Sequence, residues 1–258
     1  MNTFTLITGA SEGLGVEFAK QAAREKRGLI IAARSEDKLN DIAYELRGLG
    51  VEVVVIPADL NTLEGAEDLW VRATEGRVVD VLVNNAGLGF SGSFADPEGW
   101  ERELSSINVN MLAVTRLMKL AILHMKEHGK GRFLNIASTA AFMPGPNMAV
   151  YHATKAYVLS LSEAVAEELR DTKITVTAIC PGATKTNFHN QADMHDVRLL
   201  QMAKPAKASE VAELGWLQSR IGKRIVVPGA INNVYAFSTR FLPRGVNTRI
   251  PAQLMGKD

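Results

Sequence analysis

The chain has 258 residues, of which 47% are hydrophobic and 22% charged, a composition that fits one or two globular domains and excludes a disordered protein. Its 29 basic and 28 acidic residues give a net charge of +1, without the basic excess that nucleic-acid binding usually leaves. Cys180 is the single cysteine and no apolar run approaches the roughly 18 residues of a membrane span, so we expect a cytoplasmic protein without disulfides or membrane association.

Seven short apolar runs alternate with longer amphipathic stretches. Several runs are apolar on consecutive residues and rich in Val and Ile, which predicts parallel strands buried on both faces. The stretches between them have helical spacing, as in Gly15–Arg27. We predict one α/β domain over residues 1–258, a doubly wound Rossmann fold with a seven-stranded parallel sheet and helices on both faces. The predicted strands are Phe4–Thr8, Leu29–Ala33, Glu52–Ile56, Val79–Val83, Arg132–Ile136, Ile174–Ile179 and Arg224–Val227.

Two segments depart from this alternation. Residues Asn187–Ala208 follow the carboxyl end of the sixth predicted strand, where ligands bind in such sheets, so we predict a substrate lid with an apolar pocket. The C-terminal extension, residues 230–258, includes Ile231–Ile250, which mixes apolar residues with arginines. We expect a terminal helix that packs on the domain or on a neighbouring subunit. A membrane-surface helix and a grip on a hydrophobic substrate tail are the alternatives.

A glycine-rich loop joins the first predicted strand to the first predicted helix. Glycines permit a tight turn and a close approach to a pyrophosphate, and the helix N-terminus offers free N–H groups. The spacing is G-x-x-x-G-x-G rather than the commoner G-x-G-x-x-G, and the alternative is a tight turn that holds no ligand. The loop residues that we predict to bind a dinucleotide are Gly9, Ser11, Gly13, Leu14 and Gly15.

The end of the second predicted strand indicates which dinucleotide is bound. An acidic residue about twenty positions beyond the loop would hold a free ribose 2′-hydroxyl, but Ala33 and Arg34 stand there. Because a guanidinium binds a phosphate well, Arg34 predicts NADP(H); the alternative is a solvated surface arginine. Glu12 is electrostatically unhelpful beside a 2′-phosphate, and we expect it to face solvent or to pair with Arg34.

Three residues predict acid–base chemistry. Tyr151 and Lys155 lie four residues apart, on one face of a helix, and Ser138 lies just past the fifth predicted strand. A free tyrosine has a pKa of about 10, so we expect the lysine cation to lower the pKa of Tyr151 and make the phenol usable as acid and base. The Ser138 hydroxyl can hold a substrate oxygen within reach of the phenol.

These motifs together resemble the short-chain dehydrogenase/reductase family, in its shorter size branch, over residues 3–230. The resemblance implies hydride transfer between the nicotinamide and a carbonyl or secondary alcohol, with Ser138, Tyr151 and Lys155 as catalytic residues. It implies that Asn110, which fits the family pattern better than Asn108, holds a water that links Lys155 to solvent.

The resemblance also implies further cofactor contacts and a homodimer or homotetramer. The subunit interface would be formed by the helices Trp100–His128 and Tyr151–Arg170. Besides Tyr151 and Lys155, the implied cofactor residues are Asp59 and Leu60 beside the adenine, Asn85, Ala86 and Gly87 along the middle, and Pro181, Gly182, Thr184 and Thr186 at the nicotinamide end.

Two rival functions remain open at this stage. One is an NADP(H)-binding sensor or scaffold without catalysis, although a sensor has no need of a tuned phenol. The other is a zinc peptidase, because His124, Glu127 and His128 form an H-x-x-E-H pattern. We interpret that pattern as the last turn of a helix and expect no metal. For Cys180 we expect a buried, unreactive thiol.

Overall fold

The computed structural model describes residues 3–194 and 205–254. The strands are β1 (Thr3–Thr8), β2 (Gly28–Ala33), β3 (Val53–Pro57), β4 (Val78–Asn84), β5 (Gly131–Ile136), β6 (Ile174–Ile179), β7 (Thr184–Lys185), β8 (Ala206–Lys207) and β9 (Ile225–Val226). Seven of them form a parallel sheet in the order β3-β2-β1-β4-β5-β6-β9. This confirms the predicted fold. The order reverses between β1 and β4, and the crevice outside such a reversal is where these folds bind ligands.

Helices cover both faces of the sheet. They are α1 (Gly13–Arg24), α2 (Glu36–Arg47), α3 (Leu63–Thr74), α4 (Trp100–Ile107), α5 (Val114–Glu127), α6 (Ala149–Glu168), α7 (Phe188–Gln191), α8 (Ala208–Arg220), α9 (Ala230–Ser238) and α10 (Arg244–Leu254). A π-helical turn, Asn108–Ala113, joins α4 to α5. Such turns are rare and occur frequently at functional sites.

The core has two layers because successive strand residues point to opposite faces. Leu6 and Leu82 belong to the layer beneath α3 and α5, whereas Ile7 and Val83 belong to the layer beneath α1 and α8. All four side chains are fully buried. Burial of each contributes about 1.5–3 kcal/mol, which is why these strands have no polar face.

The helical stretch Pro97–Glu127 is long and apolar enough, by length and composition alone, to cross a membrane. Its apolar side instead belongs to the core, where Val109, Leu117, Ala121 and Met125 pack beneath the sheet. A core helix of this kind meets the same hydropathy test as a membrane span.

The predicted lid is described only in part, since residues 195–204, including His195, lie outside the described ranges. The described part contains α7. The two ends of the segment are held together by a small parallel sheet, in which Thr184 pairs with Ala206. That this segment covers a substrate stays a prediction.

Candidate active site

The glycine loop has a shape that side chains would prevent. Gly9 and Gly13 have φ angles of +63° and +59°, in the left-handed region that favours glycine. A Cβ atom on Gly9 would lie 2.8 Å from Cα of Ala86, and one on Gly15 would lie 2.3 Å from the carbonyl oxygen of Gly9. Glycine is therefore required here for both backbone angle and space.

Hydrogen bonds fasten this loop to the loop that follows β4. The Thr8 hydroxyl accepts from the backbone N–H groups of Asn85 and Ala86, both at 3.1 Å. The Asn85 amide donates to the carbonyl oxygens of Thr8 and Gly9, at 2.9 and 3.0 Å. Asn85 thus shapes the glycine loop, a structural role that sequence reasoning did not assign to it.

Ser138, Tyr151 and Lys155 converge beyond the carboxyl end of β5. The Ser138 hydroxyl accepts from the N–H of Ala140 at 3.1 Å, which caps the 3₁₀ turn Thr139–Phe142. It also hydrogen-bonds the Tyr151 phenol. Lys155 lies one helical turn after Tyr151 on α6, and its Nζ donates to the carbonyl oxygen of Ile136 at 2.8 Å. Sheet edge and helix together hold the three side chains in one place.

The pKa of Tyr151 shifts in the direction opposite to the one expected. Burial raises it to about 12, although the hydrogen bond from Ser138 acts in the other sense. The prediction that Lys155 would lower this pKa is therefore wrong for the protein as folded here. The ammonium lies 5.8 Å from the ring centre and donates to Ile136, so its influence is smaller than the desolvation of the phenol.

Burial also shifts the pKa of the two neighbouring groups. It lowers the pKa of the Lys155 ammonium to about 8 and raises the pKa of the Cys180 thiol to about 12. In each case the charged form is disfavoured because water is excluded. Cys180 is fully buried, which confirms the interpretation as a buried thiol.

Asn110 lies in the π-helical turn, and its side-chain amide forms hydrogen bonds with two neighbouring residues. Its Oδ1 accepts from the N–H of Leu88 at 2.9 Å, and its Nδ2 donates to the Leu88 carbonyl and the Thr154 hydroxyl at 2.8 and 2.9 Å. Asn108 instead bonds Asn61 at 3.4 Å. A Cβ atom on Gly87 would lie 3.3 Å from Oδ1 of Asn110 and 3.2 Å from Nζ of Lys155, so Asn110 adjoins the lysine.

A single cavity of about 990 Å³ extends from the glycine loop to Tyr151. Three of the residues predicted to bind the cofactor or act in catalysis do not line this cavity: Gly13, Gly15 and Asn110. The two glycines shape the loop, and Asn110 lies behind Gly87. The predicted residues that do line it are Gly9, Ser11, Leu14, Arg34, Asp59, Leu60, Asn85, Ala86, Gly87, Ser138, Tyr151, Lys155, Pro181, Gly182, Thr184 and Thr186.

The cavity end near β2 carries two cations. Arg34 and Lys38 both line it and are exposed. Glu12 does not pair with Arg34 within the described ranges, but lies 3.7 Å from the ammonium of Lys38 and accepts hydrogen bonds from Asn187 and Gln191 on the far side of the cleft. Its charge is thus partly neutralised by its own contacts.

The opposite end of the cavity is built from residues that sequence reasoning missed as site residues. They include Met143, Met148, His152, Tyr235 and Pro251. The imidazole of His152 hydrogen-bonds the carbonyl of Met143 at 2.9 Å, and burial lowers its pKa. No motif marks these positions. The mixed apolar character of Ile231–Ile250 was the one available hint, through the alternative of a hydrophobic grip.

The His124, Glu127 and His128 cluster has ligand atoms within 4.8 Å of one another. However, the N–H of Val79 donates to Nε2 of His124 at 3.1 Å, so a neutral imidazole carries its proton on Nδ1. Neither nitrogen of His124 can then bind a metal unless that hydrogen bond breaks. The geometry does not favour the zinc-peptidase interpretation.

Comparison with known proteins relates the chain to one family. The sequence profile described as short chain dehydrogenase matches residues 3–196. "Uncharacterized oxidoreductase YvaG" of Bacillus subtilis is 38% identical over 185 residues, which are 70% of this chain and 68% of that protein. "Ketoacyl reductase HetN" of Nostoc sp. is 34% identical over 178 residues, which are 69% of this chain and 62% of that protein.

Solved structures agree over nearly the whole length. A short-chain dehydrogenase from Sphingobium yanoikuyae in complex with NADPH has a TM-score of 0.82 at 29% identity and covers 93% of both chains. A 3-ketoacyl-(acyl-carrier-protein) reductase from Brucella melitensis complexed with NADH has a TM-score of 0.75 at 29% identity, over 88% of this chain and 96% of that one. The two differ in their nicotinamide cofactor.

Proposed function

The chain belongs to the short-chain dehydrogenase/reductase family, and on that premise we propose that it prefers NADP(H) and uses Tyr151 as its general acid and base. Members of this family are oxidoreductases of carbonyl and alcohol groups that use NAD(P)H, and this chain is one of them. The observation that carries the proposal is the convergence of Ser138, Tyr151 and Lys155 on the same cavity as the glycine loop.

The cavity fits a dinucleotide. Gly9 and Gly15 leave open backbone where a Cβ atom would collide, and the first turn of α1 has no side-chain cap, so its N–H groups are available to a pyrophosphate. Asp59 and Leu60 line the cavity beyond β3, and Lys155 lines it at the catalytic end. When bound there, the cofactor supplies or accepts the hydride at its nicotinamide ring.

The chain's own residues supply the proton and the position of the substrate. In reduction, Ser138 donates a hydrogen bond to the carbonyl oxygen and Tyr151 gives its phenolic proton to that oxygen as negative charge develops. A pKa of about 12 keeps Tyr151 protonated at neutral pH, which is the form that reduction requires. In this proposal Asn110 links Lys155 to solvent through a water bound at the second acceptor position of its Oδ1, and its proximity to the lysine supports this.

The preference for NADP(H) rests on charge at the end of β2. Arg34, Ser35 and Lys38 line the cavity there, and the nearby carboxylate of Glu12 already has Lys38, Asn187 and Gln191 as partners. A 2′-phosphate would meet two cations and a hydroxyl group at this position. A free ribose 2′-hydroxyl would find no carboxylate at the strand end to accept its hydrogen bond.

The substrate end supports an uncharged, apolar carbonyl compound. It is lined by Met143, Met148, Phe188, Met194 and Tyr235. Among the described lining residues, charged side chains other than Lys155 lie at the cofactor end: Glu12, Arg34, Lys38 and Asp59. Methionines adapt to irregular shapes, so a range of bulky ketones is the expected substrate class.

The test is a fluorescence titration of the purified protein with NADPH and, separately, with NADH, followed by turnover of neutral bulky ketones. We expect tighter binding of NADPH and consumption of NADPH on addition of a ketone. Stronger NADH binding would contradict the role of Arg34 but leave the enzyme class unchanged. Binding without turnover of any carbonyl or alcohol would favour the sensor alternative.

A further inference from the structure

The C-terminal part of the chain differs in charge from the rest. Residues 214–257 contain seven of the 29 basic residues and none of the 28 acidic ones. The rest of the chain therefore carries 22 basic and 28 acidic residues, a net charge of −6, although the whole protein is almost neutral. A one-sided positive charge of this kind indicates an anionic partner.

Part of that positive charge is free. Arg220 pairs with Glu25 at 3.2 Å and Arg224 pairs with Glu167 at 2.6 Å. Lys223 and Arg240 are exposed, and no carboxylate within residues 3–194 and 205–254 forms an ion pair with either of them. These two cations are available to a ligand.

An apolar stripe runs along the outer side of α9 and the turn that follows. Its members are spaced three, three and four residues apart, which places them on one side of a helix. The rings of Phe237 and Phe241 pack together, with centres 5.1 Å apart. The stripe consists of Ile231, Val234, Phe237 and Phe241, which are 85%, 70%, 60% and 73% exposed. Such a contiguous exposed surface marks an interaction site more often than chance.

A groove of about 440 Å³ lies beside this stripe. Phe237 and Arg240 of the α9 region form one wall, and Leu214, Val227 and Lys223 lie among the other lining residues. The described lining contains two cations, no carboxylate and mostly apolar side chains. That combination suits a molecule with an acyl chain and an anionic head.

We propose that this C-terminal face, the stripe together with Lys223 and Arg240, docks on an anionic phospholipid surface. The stripe enters the boundary between headgroups and acyl chains while the two cations contact lipid phosphates. Nucleic acid fits less well, because the phenylalanine side chains are clustered rather than interleaved with cations. A symmetric contact with a second copy would bring unpaired cations of the same patch together, which is unfavourable.

Docking also has a consequence for the catalytic cavity. Tyr235 of α9 lines that cavity, and Ile231 of the stripe lies at its exposed edge, while Val234 and Phe237 of the same helix face outward. The helix is therefore a wall between the lipid surface and the substrate end. This docking does not depend on the proposed cofactor or catalytic residues, and it can be tested separately from them.

The test is flotation of the full chain with extruded vesicles of phosphatidylcholine alone or with phosphatidylserine added. We expect binding to the anionic vesicles that weakens as salt is raised. Lys223→Gln with Arg240→Gln should weaken it about 30-fold, at roughly fivefold for each cation. Phe237→Ser with Phe241→Ser should abolish it.

A control variant removes one exposed apolar and one exposed basic side chain elsewhere on the surface. Val71 on α3 is 67% exposed and Lys119 on α5 is exposed, so Val71→Ser with Lys119→Gln should leave vesicle binding unchanged. Circular dichroism shows whether each variant folds. The proposal is overturned by equal or absent binding to the two vesicle types, by an equal loss in the control, or by self-association that the α9 variants abolish.

Discussion

Nζ of Lys155 lies 5.8 Å from the centre of the Tyr151 ring, one helical turn away, and both groups are withdrawn from water. Burial disfavours the charged form of each, so the pKa of the lysine is lowered to about 8 and that of the tyrosine raised to about 12. At neutral pH both groups therefore hold their protons, and only the buried ammonium of Lys155 destabilises the folded state.

Replacement of Tyr151 by Phe removes the proposed proton donor. We expect turnover to fall by roughly 10²–10⁴-fold while NADPH binding stays nearly unchanged. Tyr157→Phe is the matched control, because Tyr157 lies on the same helix, bonds Thr115 at 2.7 Å and does not line the cavity. Steady-state kinetics with a neutral ketone measures both. Substantial activity in Tyr151→Phe would contradict the acid–base assignment.

Replacement of Lys155 by Met should stabilise the protein while removing its activity. Below pH 8 the folded protein must hold a buried ammonium, and a shift from 10.5 to about 8 corresponds to a cost of about 3 kcal/mol. Between pH 8 and 10.5 the unfolded chain binds a proton that the folded one does not, so the lysine makes stability rise with pH.

The measurement is denaturant unfolding of both proteins between pH 7 and pH 9.5. Lys155→Met should be more stable than the wild type at pH 7, and this difference should shrink as the pH rises, because the buried Cys180 thiol and Tyr151 phenol are present in both proteins and their contributions cancel in the comparison. A lower stability of the variant at pH 7 would show that the bond from Lys155 to the Ile136 carbonyl outweighs desolvation.

Replacement of Arg34 by Ala should change the cofactor preference. Loss of a charge-assisted hydrogen bond corresponds to roughly 10–150-fold weaker NADPH binding, with NADH binding little changed. Arg24→Ala removes the same charge from an exposed site at the end of α1 that does not line the cavity. Equal weakening of both cofactors in Arg34→Ala, measured by fluorescence titration, would argue against 2′-phosphate recognition.

Replacement of Gly9 by Ala tests the steric requirement of the loop. Gly76 offers a control with nearly the same backbone angle, +68°, but with nothing within 4 Å of an added Cβ atom. Gly76→Ala should lose about 1 kcal/mol from backbone strain alone. Gly9→Ala should lose more, because its Cβ would lie 2.8 Å from Cα of Ala86, and should bind cofactor poorly. Similar losses in both variants would show that the loop can relax.

The expected subunit interface can be tested at α4 and α5. Leu112 in the π-helical turn between them is 43% exposed, and Leu123 on α5 is 64% exposed. Tyr44 on α2 is 82% exposed and serves as the control. Leu112→Glu with Leu123→Glu should shift the mass measured by light scattering towards the monomer, because a buried carboxylate without a partner is unfavourable. Tyr44→Glu should not. If the wild-type protein is itself a monomer, the expected subunit interface does not exist.

The catalytic cluster shows how far sequence patterns reach. The four-residue spacing of Tyr151 and Lys155 places them on one helix face, and the position of Ser138 after β5 places it at the same sheet edge. These relations follow from local geometry. The direction of the tyrosine's pKa shift does not, because it depends on how much water the surrounding chain excludes.

What the sequence by itself determined is the sheet and its loops. Parallel strands buried on both faces leave continuous apolar runs, and a loop that needs left-handed backbone leaves glycines, so both are legible along the chain. Tertiary structure alone decided that Glu12 pairs with Lys38, that Tyr235 lines the catalytic cavity, and that Phe237 on the same helix stays exposed. The first relation joins residues that are distant in the chain, and the other two depend on which side of a helix the rest of the fold covers. A local sequence pattern contains neither kind of information.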